Sequence, residues 1–86
     1  MTISAASWAR YIAQLRAVND AAYKAMRGYL DLYGLPADEE AEDAMIDVAY
    51  AITKKYAEAS ATLSARMYDS LAELTGKKLP AAVPAD

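Results

Sequence analysis

Apolar residues recur every three to four positions along two stretches of this chain, with a single sharp interruption between them. In the first, Trp8, Ile12, Leu15, Asn19, Ala22, Met26, Tyr29 and Tyr33 alternate four and three apart, the seam of a heptad-patterned helix. Tyr11, Val18, Ala25 and Leu32 widen that stripe, and Arg10, Gln14, Asp20, Lys24, Arg27 and Asp31 occupy the face left for water. Tyr33-Gly34-Leu35-Pro36 then stops the helix. From Ala37 to Thr75 there is no glycine or proline, and Met45, Ala49, Ile52, Tyr56, Ala59 and Leu63 continue the same alternation before Met67, Leu71 and Leu74 shift it by a stutter. The pattern predicts an all-α fold of two long antiparallel helices, about 4–33 and 38–75, the second about 57 Å long at 1.5 Å per residue. Residues 1–75 form a helical hairpin in this reading. Residues 76–86 follow as an extended, proline-containing tail or linker.

Ser4 or Ser7 is positioned to cap the first helix. Gly28 lies inside the pattern at a cost of about 1 kcal/mol relative to alanine, either marking a close helix crossing or simply tolerated. Asn19 has two readings as well. It is a buried polar residue that fixes register, or it sits at the edge of the seam; the rarity of fully buried asparagine favours the edge. A second row on the later helix, Ile46, Tyr50, Ala57, Ser60 and Ser64, has nothing to cover it in a lone two-helix hairpin. That surface predicts a protein partner or self-association, with dimerisation completing a four-helix bundle. The short link over 34–37 favours packing of the two helices within one chain.

Composition narrows the function more than the fold. The hydrophobic fraction of 56% overstates the available core, because 21 of the 86 residues are alanine and each removes little apolar area from water. A net charge of −3 opposes general nucleic-acid binding, which needs clustered cations. The chain has neither cysteine nor histidine, so the usual thiolate and imidazole nucleophiles, bases and metal ligands are absent. Asp38, Glu39, Glu40, Glu42, Asp43 and Asp47 crowd the start of the second helix without the alternating oxygens of a calcium loop or the Glu-x-x-His pairs of a di-iron bundle. They suit the positive end of a helix dipole. No catalytic residue, cofactor or metal site is expected, and the chain is read as no enzyme. No run is long enough to span a bilayer and Met1-Thr2-Ile3-Ser4 lacks the start of a signal peptide, so neither a membrane partner nor secretion by its own signal is expected.

Seven tyrosines and one tryptophan remain. Such side chains dominate interface hot spots, since each combines a large rigid area with a polar tip. Tyr29, Tyr33 and Tyr56 fall on the seams and are assigned to the core. Tyr23, Tyr50 and Tyr68 stand off the seams and are the candidates for a partner-binding surface.

Ile46-Asp47, Ala49-Tyr50-Ala51, Lys55-Tyr56, Glu58, Met67-Tyr68-Asp69 and Leu79-Pro80-Ala81-Ala82 resemble the N-terminal region of bacteriophage minor head proteins. Leu15-Arg16-Ala17-Val18-Asn19 and Ala21-Ala22-Tyr23-Lys24 resemble the same region, that of the head-morphogenesis group related to the Mu F-type minor capsid proteins. The likeness covers most of the chain. It implies a helical docking and assembly module that binds the portal or another head component, or itself as a homo-oligomer, in the host cytoplasm during assembly and then in the virion. The larger C-terminal domain typical of that group is not in this sequence, which removes any activity carried there. The alternative is a free-standing helical interaction module, an adaptor associated with a toxin or with secretion. Hairpins of the WXG type place Trp-x-Gly in the turn, whereas this turn reads Tyr33-Gly34-Leu35.

Overall fold

The computed structural model describes residues 4–60 and 64–76. These form three helices, α1 over Ala5–Leu32, α2 over Glu39–Ala59 and α3 over Ser64–Thr75. The all-helical class expected from the pattern is correct, but the helix expected over 38–75 is two helices.

Both ends of the first helix are written in local chemistry. Ser4, in extended conformation, accepts a hydrogen bond from the Ser7 amide at 3.1 Å and opens α1. At the other end Gly34 adopts a φ of +62°, the left-handed region where an L side chain is strained. The Gly34 amide donates to the Asp31 carbonyl at 3.2 Å and the Leu35 amide to the Leu30 carbonyl at 2.9 Å, the paired bonds of a Schellman cap. Pro36 follows, and Asp38 then accepts from the Ala41 amide at 2.8 Å to start α2. With the turn closed this way α2 runs back along α1, as the ion pair between Arg27 and Glu42 near the turn records.

α2 ends at Ala59. The Ser60 hydroxyl donates to the Tyr56 carbonyl at 2.9 Å, and the Ser60 amide donates to the same oxygen at 3.1 Å. α3 returns along α2: the Tyr68 hydroxyl donates to the Lys54 carbonyl at 2.8 Å, and the Tyr50 hydroxyl to the Tyr68 carbonyl at 3.3 Å. In a continuous helix residues 54 and 68 would lie about 21 Å apart along the axis. Direct hydrogen bonding between them therefore excludes the single long helix. No glycine or proline marks this break; Ser60 stands at its start with its hydroxyl on the Tyr56 carbonyl, an alternative to helical bonding that hydroxyl side chains offer the backbone.

The folding back of α3 decides what is buried. Leu15, Ala57, Met67 and Leu71 form the central cluster, with Trp8, Tyr11, Ile12, Tyr50 and Tyr68 packed around it. On α2 the buried row is Met45, Ala49, Thr53 and Ala57, four apart and mostly small, which lets neighbouring helices approach closely. The Thr53 hydroxyl is satisfied by the Ala49 carbonyl at 2.9 Å. Ile52 and Tyr56, assigned by the periodicity to the same seam, are instead exposed. A two-helix seam would have centred between these rows, but the third helix draws the buried face toward Tyr50 and Ala57. Tyr29 and Tyr33, assigned to the core of α1, are also exposed.

Asn19 is corrected too. It is 2% exposed, not at an edge, because a three-helix arrangement encloses positions that flank the seam of a hairpin. Its Oδ1, the Arg16 Nε and the Tyr11 hydroxyl are buried with no hydrogen-bond partner among the described residues. Gly28 is simply tolerated, since a Cβ there would meet nothing within 4 Å. Leu63, at the centre of the expected seam, and the tail over 77–86 lie outside the described residues.

Two substitutions test this packing. Leu71→Ala should destabilise the fold by about 2–5 kcal/mol and Ile52→Ala by no more than about 0.5 kcal/mol, measured by urea denaturation; equal effects would restore the periodicity's assignment of faces. Gly28→Ala should stabilise by up to about 1 kcal/mol, and a loss of stability would mean that α1 is approached closely at that point.

Candidate functional site

The three candidate partner tyrosines are all half-buried, and all have hydroxyls engaged within the chain. Tyr23 projects from α1 toward the first turn of α2, where its hydroxyl donates to the Glu42 carboxylate, 3.2 Å from Oε2. The Arg27 guanidinium donates to the Tyr23 oxygen at 3.1 Å and to Glu42 Oε2 at 2.7 Å, and lies 5.7 Å from the Tyr23 ring centroid. The hydrogen bond to Tyr23 is the first cause holding Arg27 above its ordinary pKa, with the Glu42 charge adding to it against the cost of desolvation. The trio ties the helices together beside the turn.

Tyr50 and Tyr68 are brought together between α2 and α3, packed against the central cluster. Besides its hydrogen bond to Lys54, Tyr68 has the Lys54 ammonium 5.4 Å from its ring centroid, a cation–π geometry. Desolvation pushes the Tyr68 phenol above its ordinary value, and the neighbouring Glu58 pushes it the same way. These groups hold α3 in place.

The free aromatic surface lies where the sequence pattern assigned core. At the α1–α2 turn Tyr29 is 60% exposed, Leu32 76%, Tyr33 62% and Leu35 50%. The Tyr29 and Tyr33 rings lean on each other with centroids 4.9 Å apart. Four large apolar side chains thus stand exposed at one end of the molecule. A second exposed row, Val48, Ile52 and Tyr56, runs along α2.

Around the tip the charge is of one sign. From Gly28 to Thr53 the chain has seven carboxylates and no lysine or arginine. Asp31, Asp38, Glu39, Glu40 and Asp43 are exposed there, while Glu42 is taken up by Arg27. This segregation is visible in the sequence once the charges are binned by segment; the tip aromatics are not, because heptad spacing alone marks them as core. Among the described residues no group of acidic side chains is arranged to hold a metal ion, and no helix is long and apolar enough to cross a membrane.

The described residues form helices and turns, with aromatic side chains exposed at one end of a small core. The sequence matches the family model described as VG15 protein over residues 2–86, and the chain belongs to that family. The match is to a viral protein family, consistent with a phage origin. Neither a curated protein nor a solved structure matches.

The engaged tyrosines carry an expected outcome with a defined pH sign. Because the folded state raises the Tyr68 pKa, its contribution is fully present below the ordinary value of 10.0 and is lost as pH rises through the folded value. Tyr68→Phe should therefore lower the melting temperature at neutral pH, and the gap to wild type should narrow above about pH 10. A gap that widens in alkali would remove Tyr68 as a neutral donor to the backbone.

Proposed function

We propose that this chain is a non-enzymatic docking module of a phage head protein that binds the portal or another capsid component during assembly in the host cytoplasm and remains in the virion. The observation that carries this reading is the exposed cluster of Tyr29, Leu32, Tyr33 and Leu35 at the capped end of the molecule. A small core gains nothing from leaving these side chains in water, whereas a partner that covers them gains both area and aromatic anchors. Membership of a viral family supports the phage context, and the resemblance to the N-terminal region of the Mu F-type minor head group supports the portal-proximal role. The hydroxyls of Tyr23, Tyr50 and Tyr68 serve the fold in this reading, and the rings at the turn serve the partner.

The test is co-expression with the portal and major capsid proteins of the same genome, followed by affinity capture. Portal or capsid protein should be retained by the wild-type chain. Capture by Leu32→Ser/Tyr33→Ser should fall at least about tenfold with helix content unchanged, since hot-spot truncations cost more than about 1.4 kcal/mol. Retention of neither head protein by the wild-type chain would overturn the proposal.

A further inference from the structure

The charge that accompanies the exposed tip is opposed elsewhere on the same molecule. Seven of the twelve carboxylates are confined to 28–53, and of these only Glu42 is paired among the described residues, with Arg27. Because α2 runs antiparallel to α1 and α3 returns along α2, the exposed cations Arg10, Lys54, Lys55 and Arg66 lie toward the end away from the Gly34 turn. Glu58 and Asp69 are the exposed carboxylates nearest to them in sequence on α2 and α3. That end also offers apolar area, because Ile52 and Tyr56 are exposed one turn apart on α2 with Lys55 between them in sequence. The molecule is thus electrically polarised along its length, with an apolar patch in each charged region.

We propose that the acidic aromatic tip of one molecule docks on the cationic Ile52–Tyr56 flank of a second copy. This rests on the reading of the chain as a docking module and names self-association as one use of that surface. The contact is heterologous: the two surfaces are different, so each added copy leaves one tip and one flank free, and the assembly closes into a ring or extends as a filament according to the rotation between neighbours. Opposite charges steer the copies into this register and oppose tip-to-tip pairing, in which two rims of carboxylates would meet. Tyr33 and Leu32, the most exposed of the tip residues, supply the area to be covered.

Sedimentation velocity over a range of protein concentrations tests the inference on the whole chain. The wild-type protein should associate with rising concentration, and the association should weaken as salt screens the two ends. Tip reversal (Asp31→Lys/Glu39→Lys/Glu40→Lys) and flank reversal (Lys55→Glu/Arg66→Glu) should each weaken association at least about tenfold, with helix content by circular dichroism unchanged. Mixing the two variants should restore it, since a cationic tip then meets an anionic flank. Association of the flank-reversed variant at wild-type strength would overturn the proposal in favour of tip-to-tip pairing. A wild-type chain that stays monomeric at every concentration while still capturing portal protein would overturn it and leave the docking function standing.

Discussion

The structure depends on the return of α3 along α2. A twelve-residue helix is marginal in water by itself, and its position is secured by full burial of Met67 and Leu71 and by two tyrosine hydroxyls bonded to backbone carbonyls. Burying side chains of that size is favourable by about 1.5–3 kcal/mol each. For a chain so rich in alanine this is a large share of the available core. The small row of Ala49, Thr53 and Ala57 on α2 is what allows the helices to approach, and each of these residues is wholly inaccessible.

The packed helices also enclose polarity. Asn19 and Arg16 become buried on α1, and Asn19 Oδ1, Arg16 Nε and the Tyr11 hydroxyl have no partner among the described residues. Groups of this kind are costly to desolvate. They make the three-helix core less stable than an apolar one of the same shape, and they concentrate where α1 meets the later helices rather than near the well-capped turn.

The two ends of the molecule differ in character for reasons that trace to the same topology. At the Gly34 turn the Schellman bonds and the Asp38 cap close the backbone locally, and the side chains of Tyr29, Leu32, Tyr33 and Leu35 stand in solvent. Away from the turn, Tyr50, Tyr68 and Lys54 are drawn into contacts that fix α3. The division between aromatic residues that hold the fold and those available to a partner follows from which end of the hairpin the third helix covers.

Helical class, the caps of α1 and the turn at Gly34-Leu35-Pro36 were legible in the sequence because each is a local matter of backbone conformation and hydrogen bonding within a few residues. The acidic start of α2 was legible for the same reason. The break after Ala59 carried only weak local marks, the hydroxyl of Ser60 and the stutter that begins at Met67, and apart from that shift the apolar periodicity ran on through it. Everything that followed from the break was tertiary. Periodicity places a stripe on a helix to within about one residue's rotation, roughly 100°, and that margin separates Thr53 from Ile52 and Ala57 from Tyr56. Which side of the margin is buried was decided by a third helix arriving from elsewhere in the chain, because burial is a property of neighbours in space, and local spacing is silent about who those neighbours are.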